Sequence, residues 1–233
     1  MRILAYLLLT CLLAGGEEAA DIKSQSDPPI VDPNGKPYFP KNLDNWYPKH
    51  LLAMKEPSLF SLSEKVTGDH FRLLCLSSFS KPICFRAFVN DGNYVIRVVR
   101  LNGRGGYEPG KIELDAEIEI TEKEWNELGK LVTQPFGKDK ITEEEEALLG
   151  GLDGTQWILE VQAQGVHQIQ EVWGPEYWIS EDGMKVLGDL DEAEGDQYEL
   201  LYLKVHLFHR VCNQLLVLSD FTVPERMNPP ATE

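Results

Sequence analysis

Three side chains between residues 151 and 176 have the types and spacing that metal binding or acid/base chemistry needs. Asp153 precedes the first of two strand-like runs, QWILEV and VHQIQEVW, and Glu160 and His167 lie within them. Carboxylate oxygens and imidazole nitrogens bind metals such as zinc, and the same pair can act as general acid and base. The three residues are therefore candidate metal ligands or catalytic groups, and the pattern implies no particular cofactor.

The turn between the two runs decides whether Glu160 and His167 meet. Gln164-Gly165 is typical turn material. A four-residue loop would place Glu160 opposite His167, whereas a two-residue loop would place it opposite Ile169, and we then expect the pair to be lost. The sequence favours a third interpretation, in which the two side chains form only a cross-strand ion pair on a solvated face.

Aromatic residues beside these carboxylates predict recognition of a partner as a second kind of chemistry. Tyr and Trp are enriched at binding surfaces because each contributes a large contact area with a polar tip. We therefore expect a surface that contacts protein or carbohydrate, formed by Tyr107, Asp153, Trp157, Glu160, His167 and Trp173.

The glycine-rich segment around Tyr107, GRGGYEPGK, does not match a phosphate-binding loop. Such a loop follows a strand and opens a helix, whose N-terminal amides hold the anion. This segment instead leads into a strand at Lys111, so we expect a wide turn. The motifs G-x-S-x-G, H-E-x-x-H and C-x-x-C are absent from the sequence, so no common catalytic motif accompanies the candidate site.

Strands are the main elements predicted to position these groups. From His70 onward the apolar residues repeat with a period of two in FRLLCLSS, PICFRAFV, NYVIRVVRLN and KIELDAEIEI, and Asp91-Gly92 predicts a tight hairpin. In the last run, the apolar residues from Ile112 to Ile120 alternate with charged ones. This alternation predicts one core face and one acidic face that is solvated or protects a sheet edge.

Helices are predicted before and after the strands. A short helix is expected in NWYPKHLLAMKEPSLF, and capping boxes at Thr121/Glu124 and Thr142/Glu145 predict two more helix starts. The predicted fold class is α+β: a mainly antiparallel sheet covered on one face by the Thr121 helix and a long C-terminal helix.

The C-terminal helix is expected to bury one apolar stripe. His206 and His209 lie three residues apart, a spacing compatible with metal binding but more typical of residues that flank a buried stripe. Lys204 and Arg210 argue against a membrane span. The expected stripe consists of Leu203, Leu207, Val211 and Leu215.

The N-terminus predicts export to the periplasm or out of the cell. Arg2 is followed by the apolar run Ile3 to Leu13 and by small residues ending at Gly16, which is typical of a signal peptide cleaved after Gly16. A lipid anchor at Cys11 is the less favoured alternative. The expected organisation is a signal peptide (1–16), a flexible arm (17–42), one globular domain (43–223) and a disordered tail (224–233).

The charge balance narrows the choice of partners. The chain has a net charge of −16, and removal of residues 1–16 takes away one cation and no carboxylate, which leaves −17. Nucleic acid and anionic lipid would be repelled by such a surface. Solubility is the simplest explanation of the acidity, and divalent cations or a basic protein would also suit it. The oligomeric state is not indicated.

Three cysteines, Cys75, Cys84 and Cys212, remain after the predicted cleavage. A turn centred between Phe79 and Ser80 would place Cys75 opposite Cys84, where a cross-strand disulfide is possible but geometrically demanding. Two buried thiols are an equally good interpretation.

The ordered motifs of residues 71–176 resemble those of a family of uncharacterised bacterial proteins, many of them exported. The family pattern is F-R-x-L, S-F and P-I, then G-G-Y-x-P-G-K, G-L-D-G-x-x-W-x-L-E and Y-H…R-W-x-P. The matching positions of the later motifs are Gly105, Gly106, Tyr107, Pro109, Gly110, Lys111, Asp153, Gly154, Trp157, Glu160, His167, Trp173 and Pro175.

The chain departs from this family pattern at two positions. Val166 stands where the family has Tyr, and Val172 stands where it has Arg. A role that needs the Arg is therefore not expected of this chain. The resemblance implies export and implies no activity.

Overall fold

The computed structural model describes residues 30–39, 46–63, 68–136, 140–149, 154–175 and 192–219. Within these ranges the strands are β1 (His70–Ser77), β2 (Ile83–Asn90), β3 (Asn93–Leu101), β4 (Ile112–Ile120), β5 (Thr155–Ala163) and β6 (Val166–Trp173). The helices are α1 (Trp46–Ala53), α2 (Leu59–Ser63), α3 (Glu122–Val132), α4 (Glu143–Leu149) and α5 (Glu192–Leu218), with a 3₁₀ turn at Gln134–Phe136. The predicted signal peptide, the predicted tail and Asp153 lie outside the described residues.

The strands form one antiparallel sheet in the order β4-β3-β2-β1-β5-β6. Strands β1 to β4 follow one another as a meander, and the β5-β6 hairpin adds to the free side of β1. The sheet and the helices that pack on it confirm the predicted α+β class.

One face of the sheet packs against α3, α4 and α5, as predicted for the Thr121 helix and the C-terminal helix. Both capping boxes form: Glu124 N–H donates to Thr121 and Glu145 N–H donates to Thr142, and each glutamate accepts from the Thr backbone in return. None of the described helices is long and apolar enough to cross a membrane.

The predicted stripe on α5 is partly wrong. Val211 and Leu215 are buried, but Leu203 is 56% exposed and Leu207 is only half-buried. Apolar residues occur on several sides of this helix, so their spacing alone does not fix the buried side. Where burial is described, over residues 201–218, the buried apolar side chains of the helix are Leu201, Val205, Phe208, Val211, Cys212, Leu215 and Leu216.

The opposite face of the sheet is covered by the N-terminal part of the chain. Tyr38 and Phe39 are buried there, together with Leu51 and Met54 around α1. The prediction of a flexible arm over 17–42 is therefore wrong for residues 30–39, because their aromatic side chains complete a second core. Residues 17–29 and 40–42 lie outside the described ranges.

The edge strand β4 alternates half-buried and exposed side chains, which confirms the predicted alternation and the edge position. A register shift between Arg100 and Leu101 interrupts its pairing with β3. As a result Ile112 packs on the α1 side, while Leu114 packs on the α3 side. The expectation that all apolar residues from Ile112 to Ile120 share one face is therefore wrong at Ile112.

The disulfide between Cys75 and Cys84 does not form, and Cys75, Cys84 and Cys212 are all buried, reduced cysteines. In the β1-β2 hairpin Cys84 pairs with Leu74, and Cys75 pairs with Ile83. A one-residue offset sends neighbouring side chains to opposite faces of a sheet. The two sulfurs therefore lie in separate cores.

Candidate functional site

The structure does not bring the predicted site residues that it describes onto one surface. Trp157 faces the α5 layer, is 3% exposed and stacks on His209 with ring centroids 5.5 Å apart. Glu160 and His167 lie on the opposite face of the same hairpin. Tyr107 is 56% exposed in the loop between β3 and β4. The prediction that exposed Trp157 joins a recognition surface is therefore wrong, since this ring fills the core.

Glu160 and His167 do meet, although by a geometry that differs from the expected one. The hairpin has the two-residue turn, so Glu160 pairs with Ile169 and His167 pairs with Gln162. Nevertheless His167 Nε2 lies 3.0 Å from Glu160 Oε2. Diagonal side chains on one face of a sheet are within reach of each other. The expectation that this register separates the pair is therefore wrong.

Glu160 is 1% exposed and both of its oxygens are engaged. Oε1 accepts from Arg72 Nε at 2.8 Å and from Arg72 Nη2 at 2.5 Å, while Oε2 contacts His167. Burial by itself would raise the pKa of Glu160, but the charge of Arg72 and the contact with His167 outweigh it and lower the pKa. The carboxylate is therefore held in its charged form as a partner for Arg72.

Arg72 belongs to a row of three arginines that sequence reasoning did not identify. Arg72, Arg86 and Arg97 stand directly opposite one another on β1, β2 and β3. Like charges in that position repel. Their neighbour in the second core, Glu56, follows α1 and is 1% exposed on its side chain.

Glu56 provides the charge that this row needs. Its Oε2 accepts from Arg86 Nε at 2.7 Å and its Oε1 accepts from Arg97 Nη1 at 2.6 Å, while Arg72 Nη1 lies 3.6 Å from Oε2. Arg97 also binds Asp115 on β4. Three guanidinium groups thus face three carboxylates, of which Asp115 at the margin is 41% exposed on its side chain. We call these six residues with His167 the buried ion network.

The buried ion network could have been suspected from one feature of the sequence. Each of the strand segments FRLL, CFRAF and VIRVV carries one arginine within an apolar run. Buried charges are tolerated when they are paired and hydrogen-bonded. The identity of the partner depends on tertiary packing, since Glu56 lies in a different part of the chain.

The arrangement of the described residues gives little support to a metal-binding site. Among the described residues, no group of three or more His, Cys, Asp or Glu side chains is placed to hold a metal ion. Asp153, the third predicted ligand, lies outside those residues. His209 is stacked on Trp157 while His206 is exposed and stacked on Tyr202, so each ring has an aromatic neighbour.

The glycine-rich segment forms the expected wide turn and packs on the β1-β2 turn through its backbone. Gly105 N–H donates to Ser80 O at 2.9 Å, and Gly106 N–H donates to Ser78 O at 3.3 Å. A Cβ atom on Gly105 would lie 2.5 Å from Ser77 O, closer than any side chain could approach. Glycine is therefore required for the two loops to come together.

Two aromatic rings project from this junction. Phe79 and Tyr107 are each 56% exposed, and their ring centroids are 6.4 Å apart at a tilt of 38°. Phe79 was not among the predicted residues, because a single aromatic in a turn gives no periodic signal. We call these two side chains the aromatic pair.

The junction is also tied to the start of β5. Ser78 N–H donates to Gly154 O at 2.8 Å, and Gly154 N–H donates to Ser78 Oγ at 3.3 Å. The half-buried ring of Trp173 lies against Gly154, where an added Cβ would be 3.0 Å from the indole. Trp173 thus supports the end of the sheet that carries the aromatic pair.

No family model matches the chain, and no match is found among curated proteins. The resemblance indicated by the motifs therefore stays a prediction.

Proposed function

We propose that the protein is exported and acts as a non-catalytic binding protein, with the aromatic pair as the anchor of its recognition surface. The observation that carries this proposal is the exposure of two adjacent large aromatic side chains, Phe79 and Tyr107, at one end of the sheet. Aromatic anchors of this kind contribute most of the binding energy in many interfaces. Export is supported by the signal-like residues 1–16.

The backbone below the pair favours binding because it is already ordered. Gly105, Gly106 and Ser78 bond across three separate segments of the chain. A surface that is fixed before it meets its partner loses less conformational entropy on binding. An ordered aromatic surface of this kind suits either a protein or a carbohydrate partner.

The alternative function, a metal-dependent or acid/base hydrolase, is less well supported. It requires Glu160 and His167 to act on a substrate, yet Glu160 is 1% exposed and is bonded to Arg72. A group that must accept or donate a proton has to reach the substrate within hydrogen-bond distance. The aromatic pair meets the corresponding requirement for binding, because both rings are open to solvent.

Site-specific photo-crosslinking in the source cells tests this function. A benzoyl-phenylalanine at position 107 is compared with the same probe at Val166, which is also 56% exposed but lies at the opposite end of β5 and β6. We expect a discrete adduct from position 107 and none from position 166. Equal adducts from both positions, or none from position 107, would contradict the proposal.

A further inference from the structure

The loops that carry the aromatic pair, together with the last two residues of β3, are basic, although the chain as a whole is strongly acidic. Residues 78–82 and 100–111 contain four cationic side chains and one carboxylate, a net charge of +3 in a chain of −16. The carboxylate is Glu108, and the cations are Lys81, Arg100, Arg104 and Lys111. An anionic partner is thus attracted to this end of the molecule and repelled from most of the remaining surface.

Two of the four cations are engaged by a nearby carboxylate. Lys81 and Arg100 both bind Glu113, at 2.7 Å and 3.1 Å. Counting Glu113 with the loops still leaves a net charge of +2. The side chains of these ion pairs are partly exposed, so solvent weakens the attraction within each pair.

The other two cations are available to a partner. Arg104 and Lys111 are exposed, and within the described part of the chain no carboxylate lies in ion-pair distance of either side chain. Arg104 sits in the same turn as Tyr107, whose N–H donates to Arg104 O at 3.0 Å. A guanidinium group matches the geometry of a carboxylate, to which it can donate two parallel hydrogen bonds.

The aromatic pair restricts the chemistry of the partner further. Phe79 has no polar tip, so its exposed face gains most from contact with an apolar side chain. An acidic polysaccharide offers carboxylates without apolar side chains. A protein segment can offer both within a few residues, so its chemistry fits the combination of rings and cations better.

We infer that this surface binds an acidic protein segment of another protein, with an apolar side chain seated on Phe79 and Tyr107 and carboxylates beside Arg104 and Lys111. The inference rests on the proposed binding function and specifies the partner of that same surface. Charge complementarity sets the orientation and the rate of the encounter, while the aromatic contact limits dissociation.

Mapping the adduct formed at position 107 tests the inference. Digestion and mass spectrometry of the adduct should give a crosslinked peptide of another protein that has negative net charge and an apolar residue at or next to the attachment point. In an Arg104→Gln/Lys111→Gln background the adduct yield should fall about fivefold at low salt. A Lys123→Gln/Lys130→Gln background removes the same charge from exposed positions of α3 and should leave the yield within about twofold.

Several outcomes overturn the inference while leaving the binding function intact. They are an adduct with a neutral or basic peptide, an adduct with a polysaccharide, an adduct between two copies of this chain, and equal yields in the two charge backgrounds. The absence of any adduct at position 107 would instead remove the binding function itself. The two failures are therefore distinguishable.

Discussion

The buried ion network lies on one face of the sheet, whereas the aromatic pair lies on loops at one end of it. The two regions use their side chains in opposite ways. Around Glu160 the side chains with reactive chemistry bond to one another and are closed off from solvent. Around Tyr107 the backbone of the glycine turn forms the internal bonds, and the side chains are left exposed. Glu160 and His167, whose types suggest catalysis, thus have a structural role. Phe79 and Tyr107 are left available for binding, because the glycine turn forms its internal bonds through the backbone.

Removing one partner from the buried ion network should produce the largest change in stability. Arg72→Met leaves Glu160 buried without its main counter-charge, and we expect the free energy of unfolding to fall by about 3–5 kcal/mol. Urea unfolding at neutral pH measures this change. Arg72→Met/Glu160→Met should recover at least half of the loss, because no uncompensated charge is then left. If the double variant instead loses as much stability as the two single variants added together, the loss is not caused by the broken pair.

The pH dependence of stability should report the burial of His70 beside the same arginines. His70 lies next to them, and burial, followed by the charges of Arg86 and Arg72, lowers its pKa from 6.5 to about 4. Between pH 6.5 and pH 4 the unfolded chain binds a proton at His70 and the folded chain does not, so stability falls as the pH falls. The contribution is fully present above pH 6.5 and lost by about pH 4.

The expected difference is about 3 kcal/mol across that window, since one pKa unit corresponds to about 1.4 kcal/mol. It is measured by chemical unfolding of the wild type beside His70→Phe, which keeps an aromatic ring stacked on Phe88. The wild type should lose more stability than the variant on acidification. Parallel curves for the two proteins would show that His70 is not held neutral by its surroundings.

A methyl group on Gly105 should disturb the exposed end without touching the buried ion network. The added Cβ of Gly105→Ala would lie 2.5 Å from Ser77 O, and we expect a loss of about 1–3 kcal/mol together with a lower crosslinking yield at position 107. Gly129→Ala in α3 is the matched control. Its Cβ would be 3.8 Å from the nearest atom, a ring carbon of Phe71, and it should stabilise the helix by about 0.5–1 kcal/mol.

The smallest change in stability should come from the aromatic pair itself. Phe79 and Tyr107 are each 56% exposed in the wild type. Phe79→Ala/Tyr107→Ala should therefore change the free energy of unfolding by no more than about 0.5 kcal/mol, as measured by thermal unfolding. A large loss of stability would mean that the rings belong to the core and would weaken their assignment to recognition.

Local signals in the sequence predict much of the fold. The Thr121 and Thr142 capping boxes and the Asp91-Gly92 hairpin form as expected, because each depends on residues only a few positions apart. The register of the β1-β2 hairpin is not predicted, since an offset of one residue in its turn is enough to separate Cys75 from Cys84.

The two functional candidates are predicted less well, for different reasons. The buried ion network joins Glu56 to Arg97 across 41 residues and to Arg72 across 16, so it depends on how the N-terminal segment packs. The aromatic pair joins two turns that are distant in sequence. Only Tyr107 of that pair lies within a recognisable motif, and its neighbour Phe79 is identified by the contact between the turns.

The most direct test of the account compares the crosslinking yield at position 107 in two folded backgrounds. His167→Gln changes the buried ion network, and Phe79→Ala changes the aromatic pair. We expect the adduct to persist with His167→Gln and to be lost with Phe79→Ala. If the adduct is lost with His167→Gln and persists with Phe79→Ala, the aromatic pair is not the recognition surface. The function would then be assigned to the face that carries Glu160 and His167.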